Sequence, residues 1–360
     1  MYLKIICQNS ENGDVYDITN IVSDIQISTE LYDNAGKLTF ITQRQNESDD
    51  TQIAVFEEGS TIQISWKEKG IFMGYVFKRQ TDRNGTVKIT AYDQLRYLKN
   101  KDWYRNGGET LATTFTKLCN KFNLRSQVLS DSGYKVPPKI FDDAAIYEIL
   151  KYSMDCNLVG TKKIYIIYDD YGILKLNNVE NMRTDYIFGD KSMVTEYRYE
   201  KSIDENTYNM IKLVKEDKEN KIRNNYITKD SDNQKRWGIL QYYKKVDEHV
   251  PEGMMKQWGE NLLNTYNVAT EKLTLNAIAT VGDDEIWNIR AGSGIIVRIN
   301  TAIGHINGKN EADKYEMFLI ESCTHAIQNE NYHSLTLDVI KVSPTKQQEK
   351  EFKFIKEQEK

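Results

Sequence analysis

Cysteine and proline are scarce in this chain of 360 residues, which contains four of each. No two cysteines form a Cys-x-x-Cys pair, and a globular chain of this length buries enough surface to fold without disulfide staples. We therefore expect reduced thiols rather than a disulfide framework. The cysteines are Cys7, Cys119, Cys156 and Cys323.

Long apolar runs and a charge excess of one sign are also absent. No apolar stretch reaches about 18 residues, the length of a membrane-spanning helix, and no charged-then-apolar segment follows Met1. The 48 basic and 53 acidic side chains are mixed along the chain and leave a formal charge of −5. These absences argue against a cleaved export signal, against stable membrane insertion and against nucleic-acid sequence recognition, which needs a basic patch.

Tyrosine, by contrast, is abundant, with 23 copies. It suits pleated sheets and protein contact surfaces, because its ring buries area while its hydroxyl stays wet. The first hundred residues contain six short segments of strand character, separated by turns rich in Asp, Asn and Gly, and this pattern predicts a small barrel or sandwich. The predicted strands are Tyr2–Cys7, Ile25–Leu31, Gly36–Thr42, Thr61–Trp66, Ile71–Lys78 and Gly85–Ala91.

A helical module follows. Apolar residues recur at helical spacing from Leu111 to Phe122, and again in a segment whose start we assign to Asp142. The turn Asp169–Gly172 then predicts a hairpin.

Strands return from about Met193, interrupted by one helix that begins near Pro251, a residue favoured in the first turn. The strands predicted after this helix include Glu285–Ile289 and Gly294–Asn300.

The predicted fold class is α+β and mostly β, with two similar small β-barrels and an inserted helix–helix–hairpin module. We assign residues 1–100 to the first barrel and 101–192 to the α/β insert. Residues 193–342 form the second barrel with one inserted helix, and residues 343–360 are a highly charged C-terminal tail.

An internal repeat supports the two-barrel prediction. The sequence EGSTIQI at Glu58–Ile64 resembles AGSGIIV at Ala291–Val297, and both place Gly-Ser before a strand with apolar residues two apart. The two copies stand on either side of the helical module. Gly59 and Gly292 are predicted to supply turn geometry there.

The side chains that could carry chemistry have simpler structural interpretations. The acidic pairs at Asp142, Asp169 and Asp283 lie at a predicted helix start or in turns, where Asp has a backbone role. Cys323, His325 and His333 lack the second pair of ligands that a zinc site needs. No phosphate loop, dinucleotide fingerprint or hydrolase motif is present. The sequence predicts no catalytic residue, metal or cofactor.

The segment VKITAYDQLRYLKN at 87–100 changes from strand to helix at Asp93. Asp93 is a good N-cap residue, and Tyr92 and Tyr97 stand where a hydrophobic staple forms. Leu95 and Leu98 share one helical face. A catalytic role for Asp93 would need a histidine or second carboxylate, and none stands nearby in the sequence.

The stretch from Gly59 to Tyr104 resembles the signature region of the XkdQ-like baseplate hub family, found in contractile tails of PBSX-type prophages and in tail-like bacteriocins and related to late control protein D hubs. The resemblance extends over most of residues 1–342, and Ser202–Val214 resembles the family's return to its second β region. The motif and structural positions that we single out are Gly59, Gly70, Gly74, Tyr92, Asp93, Leu95, Tyr97, Leu98 and Gly292.

The resemblance implies a non-enzymatic homotrimer. Six related barrels would adapt a sixfold tail tube to a threefold central spike, with baseplate wedge proteins as further partners. Such a protein is made in the bacterial cytoplasm and assembled into the tail baseplate. Two other interpretations stay open: a tail-associated cell-wall hydrolase or carbohydrate-binding component, which would need a paired-carboxylate cleft or a Cys/His site, and a cytosolic β-rich scaffold unrelated to phage.

Overall fold

A computed structural model describes residues 2–32, 34–43, 56–189, 192–217, 222–248, 250–280, 283–298, 315–329 and 332–342. The predicted mostly β, α+β class is confirmed, with 51% strand and 22% helix. The charged segment 343–360 and the 299–300 end of one predicted strand lie outside the described residues.

The strands are β1 Leu3–Gln8, β2 Val15–Asp17, β3 Val22–Glu30, β4 Lys37–Gln43, β5 Thr61–Trp66, β6 Lys69–Thr81, β7 Thr86–Tyr92, β8 Lys101–Asn106, β9 Ser126–Val128, β10 Lys139–Ala145, β11 Tyr165–Asp169, β12 Leu174–Asn178, β13 Arg183–Gly189, β14 Val194–Ser202, β15 Met210–Asp217, β16 Ile222–Lys229, β17 Gln241–Val246, β18 Thr270–Ile278, β19 Gly294–Arg298, β20 Tyr315–Asn329 and β21 Tyr332–Lys341. The α-helices are α1 Leu111–Lys121, α2 Ile146–Thr161, α3 Ser231–Trp237 and α4 Glu252–Tyr266. Short 3-10 helices span Gln94–Lys99, Val179–Met182 and Glu285–Asn288.

One 13-stranded sheet contains the same five-strand arrangement twice. In the first half-sheet the neighbours are β5-β6-β7-β4-β3, and in the second half-sheet they are β19-β20-β21-β18-β14. Strand for strand, the order along the chain is also the same. The first half-sheet is extended by β1 and β2 beyond β5, whereas the second carries β13 parallel to β19.

The two half-sheets join edge to edge through β3 and β20, which pair antiparallel from Ser322↔Glu30 to Ile327↔Ile25. Each half-sheet encloses its own apolar core, and Trp287 packs against both cores. Within the described residues no strand ladder closes either half-sheet into a barrel. The sequence repeat predicted two β-barrels, and the described residues contain two similar half-sheets with separate cores in their place.

The remaining elements form a body outside the main sheet, which we call the accessory body. It contains β8–β12 with α1 and α2, together with β15–β17, α3 and α4. An apolar cluster that includes Val159 of α2 and Trp258 of α4 joins its two parts. Within this body β15–β17 form a separate three-stranded sheet, whereas β13 joins the second half-sheet. No helix in the described part of the chain is long and apolar enough to cross a membrane.

Two element assignments differ locally from the sequence prediction. Asp142 lies in β10, which pairs with β8, and α2 starts only at Ile146, where Glu148 accepts the N–H of Ala145 at 3.0 Å. The predicted strand Glu285–Ile289 is instead a 3-10 turn, begun by Asp283 Oδ1 accepting the Glu285 N–H at 3.1 Å. At Asp142 strand pairing overrides the capping signal, and at Glu285–Ile289 capping overrides the strand pattern.

Candidate functional site

The switch from β7 to the 3-10 helix takes place at Asp93, as predicted. Asp93 Oδ1 accepts the Leu95 N–H at 3.0 Å, which caps the helix. Its second oxygen, Oδ2, accepts the Gly36 N–H at 2.9 Å, and Gly36 has no room for a Cβ beside this carboxyl group. The residue therefore stabilises the helix start and also ties the beginning of β4 to the end of β7.

The helix that Asp93 begins connects the first half-sheet to the accessory body. Leu98 is buried in the core of the accessory body, and Leu95 packs at its edge. On the sheet side, Tyr92 and Tyr97 both pack on Phe77, with ring centroids 5.6 and 6.0 Å away. The staple predicted between the two tyrosines is thus mediated by a third ring from β6.

Gly70 and Gly74 lie where other groups approach β6 closely. A Cβ at Gly70 would stand 2.5 Å from the ring of Tyr171, which belongs to the hairpin turn between β11 and β12. A Cβ at Gly74 would stand 2.6 Å from the Tyr92 carbonyl oxygen. The same hairpin is held by Gln94, whose side chain donates to the Gly172 carbonyl. Glycine at position 70 lets the accessory body dock against the sheet, and glycine at position 74 lets the end of β7 approach β6.

Gly59 and Gly292 occupy equivalent places in the two half-sheets. Both have a φ of 87°, in the left-handed region that favours glycine. The Gly59 N–H donates to the Val76 carbonyl at 2.8 Å, and the Gly292 N–H donates to the Ile320 carbonyl at 2.8 Å.

The serine that follows each glycine extends the match. The carbonyl of Ser60 accepts the Val76 N–H at 2.9 Å, and the carbonyl of Ser293 accepts the Ile320 N–H at 3.0 Å. Directly after these residues of the long strands, both half-sheets also have a bulge. It lies between Val76 and Lys78 in the first and between Ile320 and Ser322 in the second.

Asp93 also borders a buried polar cluster where the two half-sheets and the accessory body meet. Asp169, at the end of β11, accepts the Gly172 N–H at 2.7 Å, the turn role expected for it, but it also lies near Asp93. Burial raises the pKa of Asp93 well above its usual range, and the charge of Asp169 raises it further, while Arg290 opposes the change. In the folded chain a second carboxylate, Asp169, therefore lies near Asp93, although none is close to it in the sequence.

The second half-sheet contributes two histidines to this cluster. His325 Nε2 lies 2.7 Å from the Ile289 carbonyl oxygen, and its Nδ1 lies 2.9 Å from His333 Nε2. Both rings stack on Trp287, with centroids 5.1 and 4.4 Å away. Burial lowers the pKa of His325 to about 4, and burial with the neighbouring His325 lowers the pKa of His333 to about 3. Both imidazoles are neutral at physiological pH.

The cluster has little space for a reactant. The cavity beside Asp93, Asp169 and His325 measures about 40 Å³, enough for about one water molecule, whereas ligand sites measure roughly 300–1,000 Å³. In the described part of the chain no three His, Cys, Asp or Glu side chains are placed to hold a metal ion. The cluster can hold the two half-sheets and the accessory body in place relative to one another, and we find no room in it for a substrate.

A larger groove of about 510 Å³ crosses the outer face where β3, β20, β21, β18 and β14 meet. Its lining is mixed in charge and includes Arg198, Glu200 and Lys272. It also contains Glu321, whose pKa is raised by burial and by the charge of Asp338. Sequence spacing gave no sign of this groove, because its residues come from strands far apart in the chain.

The duplicated half-sheets and the docked accessory body define the fold, and solved phage tail proteins share it. The prophage MuSo2 43 kDa tail protein of Shewanella oneidensis has the same fold, with a TM-score of 0.66 at 12% identity over 94% of this chain and 98% of that protein. The chain belongs to the YqbQ-like family, whose model matches residues 25–340.

Two proteins of Bacillus subtilis strain 168 are similar to it. The uncharacterized protein YqbQ is 25% identical over 285 residues, which are 79% of this chain and 81% of YqbQ. The phage-like element PBSX protein XkdQ is 25% identical over 297 residues, which are 82% of this chain and 85% of XkdQ.

Proposed function

We propose that this chain is the structural baseplate hub of a contractile phage tail or tail-like bacteriocin and that it acts as a homotrimer. The observation that carries the proposal is the internal repeat, in which two half-sheets of the same strand order lie edge to edge in one chain. Three copies would present six related half-sheets. Such a ring can meet a sixfold partner on one side and a threefold partner on the other.

The partners that fit this geometry are the tail tube protein, the central spike protein and the baseplate wedge proteins. Membership of the YqbQ-like family and similarity to a protein of the PBSX phage-like element support a tail component. The chain would be made in the bacterial cytoplasm and assembled into the baseplate. Its role is to join partners, and no reaction is assigned to it.

The mass of the purified full chain in solution tests the proposal. Light scattering and native mass spectrometry should give a trimer of 41.9 kDa chains, either alone or after the spike protein of the same genetic element is added. Images of the trimer along its axis should then have pseudo-sixfold symmetry. A chain that stays monomeric with the spike present would overturn the proposal.

A cell-wall hydrolase is the second candidate, because the outer groove contains a carboxyl group of raised pKa, Glu321, near a second carboxylate, Asp338. Glycoside hydrolysis uses such a pair. However, Asp338 accepts hydrogen bonds from Thr274 at 2.8 Å and Ser322 at 2.7 Å, which gives it a structural role in the sheet. Clearing of a peptidoglycan suspension by the natural chain but not by a Glu321→Gln variant would favour this candidate, and no clearing by either would exclude it.

A further inference from the structure

The repeat predicts how copies of this chain contact one another, an inference that rests on the proposed trimer. The matched turns and bulges make Val76 equivalent to Ile320, and the ladders carry this register across both half-sheets. The register passes through β7, β4 and β3 in the first half-sheet and through β21, β18 and β14 in the second. It makes Ser28 of β3 equivalent to Glu200 of β14. Likewise Gln80 of β6 is equivalent to Thr324 of β20.

Only one of the two equivalent junctions is made within a chain. The far half of β20, Ser322–Ile327, pairs with β3. The equivalent part of β6, Lys78–Thr81, has β7 on one side and no strand on the other among the described residues. Correspondingly β14, the equivalent of β3, is an edge strand of the main sheet in the part of the chain that the structure describes. The repeat thus leaves two edges without a partner strand among the described residues. We call β14 the donor edge and Lys78–Thr81 of β6 the acceptor edge.

An exposed isoleucine marks the donor edge. Leu31, which follows β3, is 8% exposed, packs with Ala291 and Leu319, and donates its N–H to the Glu321 carbonyl at 2.8 Å. Its equivalent after β14 is Ile203, which is 37% exposed. In a junction of the same kind with another copy, Ile203 would take the place that Leu31 takes within the chain.

We propose that the β14 edge of one copy pairs antiparallel with Lys78–Thr81 of β6 in the next copy, in the register of the β3–β20 junction. Gln80 then stands opposite Glu200 of the partner subunit, as Thr324 stands opposite Ser28 within the chain, where the two hydroxyl oxygens are 3.0 Å apart. Because the contact uses two different edges, it is heterologous and continues around a ring.

Charges on the exposed face suit this register. Asp82, one residue past β6, falls opposite Arg198 of the partner subunit, and Lys78 lies diagonal to the partner's Glu200, so both combinations are attractive. On the other face Arg79 falls opposite Lys201 of the partner subunit. Each of these cations has a carboxylate in its own chain, Glu57 at 3.1 Å from Arg79 and Glu271 at 3.0 Å from Lys201.

Disulfide crosslinking of the full chain tests the register. Residues directly opposite in an antiparallel pair have Cα atoms about 4.5–5.5 Å apart, a separation that a disulfide spans. A Gln80→Cys/Glu200→Cys variant should therefore form covalent dimers and trimers on oxidation, on a background of four buried native thiols. The one-residue shift Gln80→Cys/Lys201→Cys is the matched control and should crosslink at least tenfold less. Ser28→Cys/Thr324→Cys should form a disulfide within one chain, which loses two hydrogen atoms and stays a single covalent chain.

A second variant tests the contact without crosslinking. Ile203→Asp should lose the trimer in light scattering and keep the monomer folded, because the residue is exposed there. Ile239→Asp, at a position 67% exposed on the accessory body, should keep the trimer. A trimer that tolerates Ile203→Asp and does not crosslink through residues 80 and 200 would overturn this interface while leaving the hub proposal standing. Absence of any trimer, even with the spike protein, would remove the hub proposal itself.

Discussion

Gly59 and Gly292 share a φ of 87°, and each donates its N–H over 2.8 Å to a carbonyl of the neighbouring long strand. They differ in their surroundings. A Cβ at Gly59 would have ordinary contact with Ser10 at 3.6 Å, whereas a Cβ at Gly292 would stand 2.6 Å from Ile166 Cδ1 of the accessory body. The same turn therefore carries a second role in the second half-sheet, where it seats β11.

Alanine substitutions should separate these two roles. Gly59→Ala should lower the free energy of unfolding by about 1–2 kcal/mol, the cost of a left-handed conformation for a residue with a Cβ. Gly292→Ala should cost more, because Ile166 must also move. Denaturant unfolding measures both, with Gly107→Ala as a control of small effect, since nothing lies within 4 Å of a Cβ there. Equal losses for Gly59→Ala and Gly292→Ala would contradict the second role.

The cap at Asp93 gives a second prediction. Asp93→Ala leaves the buried N–H of Gly36 and the partly buried N–H of Leu95 without their acceptor. We expect a loss of about 2–4 kcal/mol in the free energy of unfolding. Asp142→Ala, at an exposed strand position, is the control and should change stability by less than about 0.5 kcal/mol. Similar stability of the two variants would mean that the cap contributes nothing.

The docking of the hairpin turn on β6 gives a third. Gly70→Ala should destabilise the chain by about 1–3 kcal/mol, because the new methyl group meets the Tyr171 ring in a packed interface. In a Tyr171→Ala background the same Gly70→Ala substitution should cost much less, since the two positions are coupled through one contact. A double-mutant cycle from thermal or denaturant unfolding measures the coupling. Strict additivity would show that the ring is not what Gly70 accommodates.

The buried histidine pair predicts an acid-dependent loss of stability. Their folded pKa values, about 4 for His325 and about 3 for His333, lie below the unfolded value of 6.5. The unfolded chain therefore binds more protons in this window, and the histidine contribution to stability falls as the pH drops from about 6.5 to 4. For one such group the fall is on the order of 3 kcal/mol.

Protonation of the nearby carboxyl groups of Asp93 and Asp169 changes stability in the opposite direction. Burial raises their pKa values, so the folded chain binds more protons at these two groups as the pH falls. The histidine part is isolated by comparing the natural chain with His325→Gln/His333→Gln in unfolding experiments from pH 8 to pH 4. The difference in stability should be constant above pH 7 and should shrink below 6.5. A difference that does not change across this range would contradict the assignment of neutral imidazoles.

Local signals in the sequence predicted local structure well. The end of β7 and the cap at Asp93 follow from a strand pattern, a capping residue and two leucines three positions apart. The Gly-Ser repeat before β5 and β19 was also visible in the sequence, because turn geometry depends on a few adjacent residues.

The contacts between distant segments could not be predicted. Gln94 meets Gly172 across 78 positions, and no residue spacing encodes such a meeting. Alternation in β15 and β16 indicated strands but could not say which sheet they join. His325 and His333 lie diagonally across the β20–β21 hairpin, as His325 faces Leu335 and Ile327 faces His333. Their pairing becomes visible only when the register of that hairpin is known.

The junction of β3 with β20 sets an order for folding during synthesis. Ser28 and Thr324 are 296 positions apart, and a ribosome adds about 5–20 residues per second, so β3 emerges about 15–60 s before its partner. During that interval the nascent chain presents an unpaired edge that can accept a strand from another molecule. Chains translated close together on one message can therefore exchange β20 before each has completed its own sheet. Such an exchange would lower the yield of correctly closed protein.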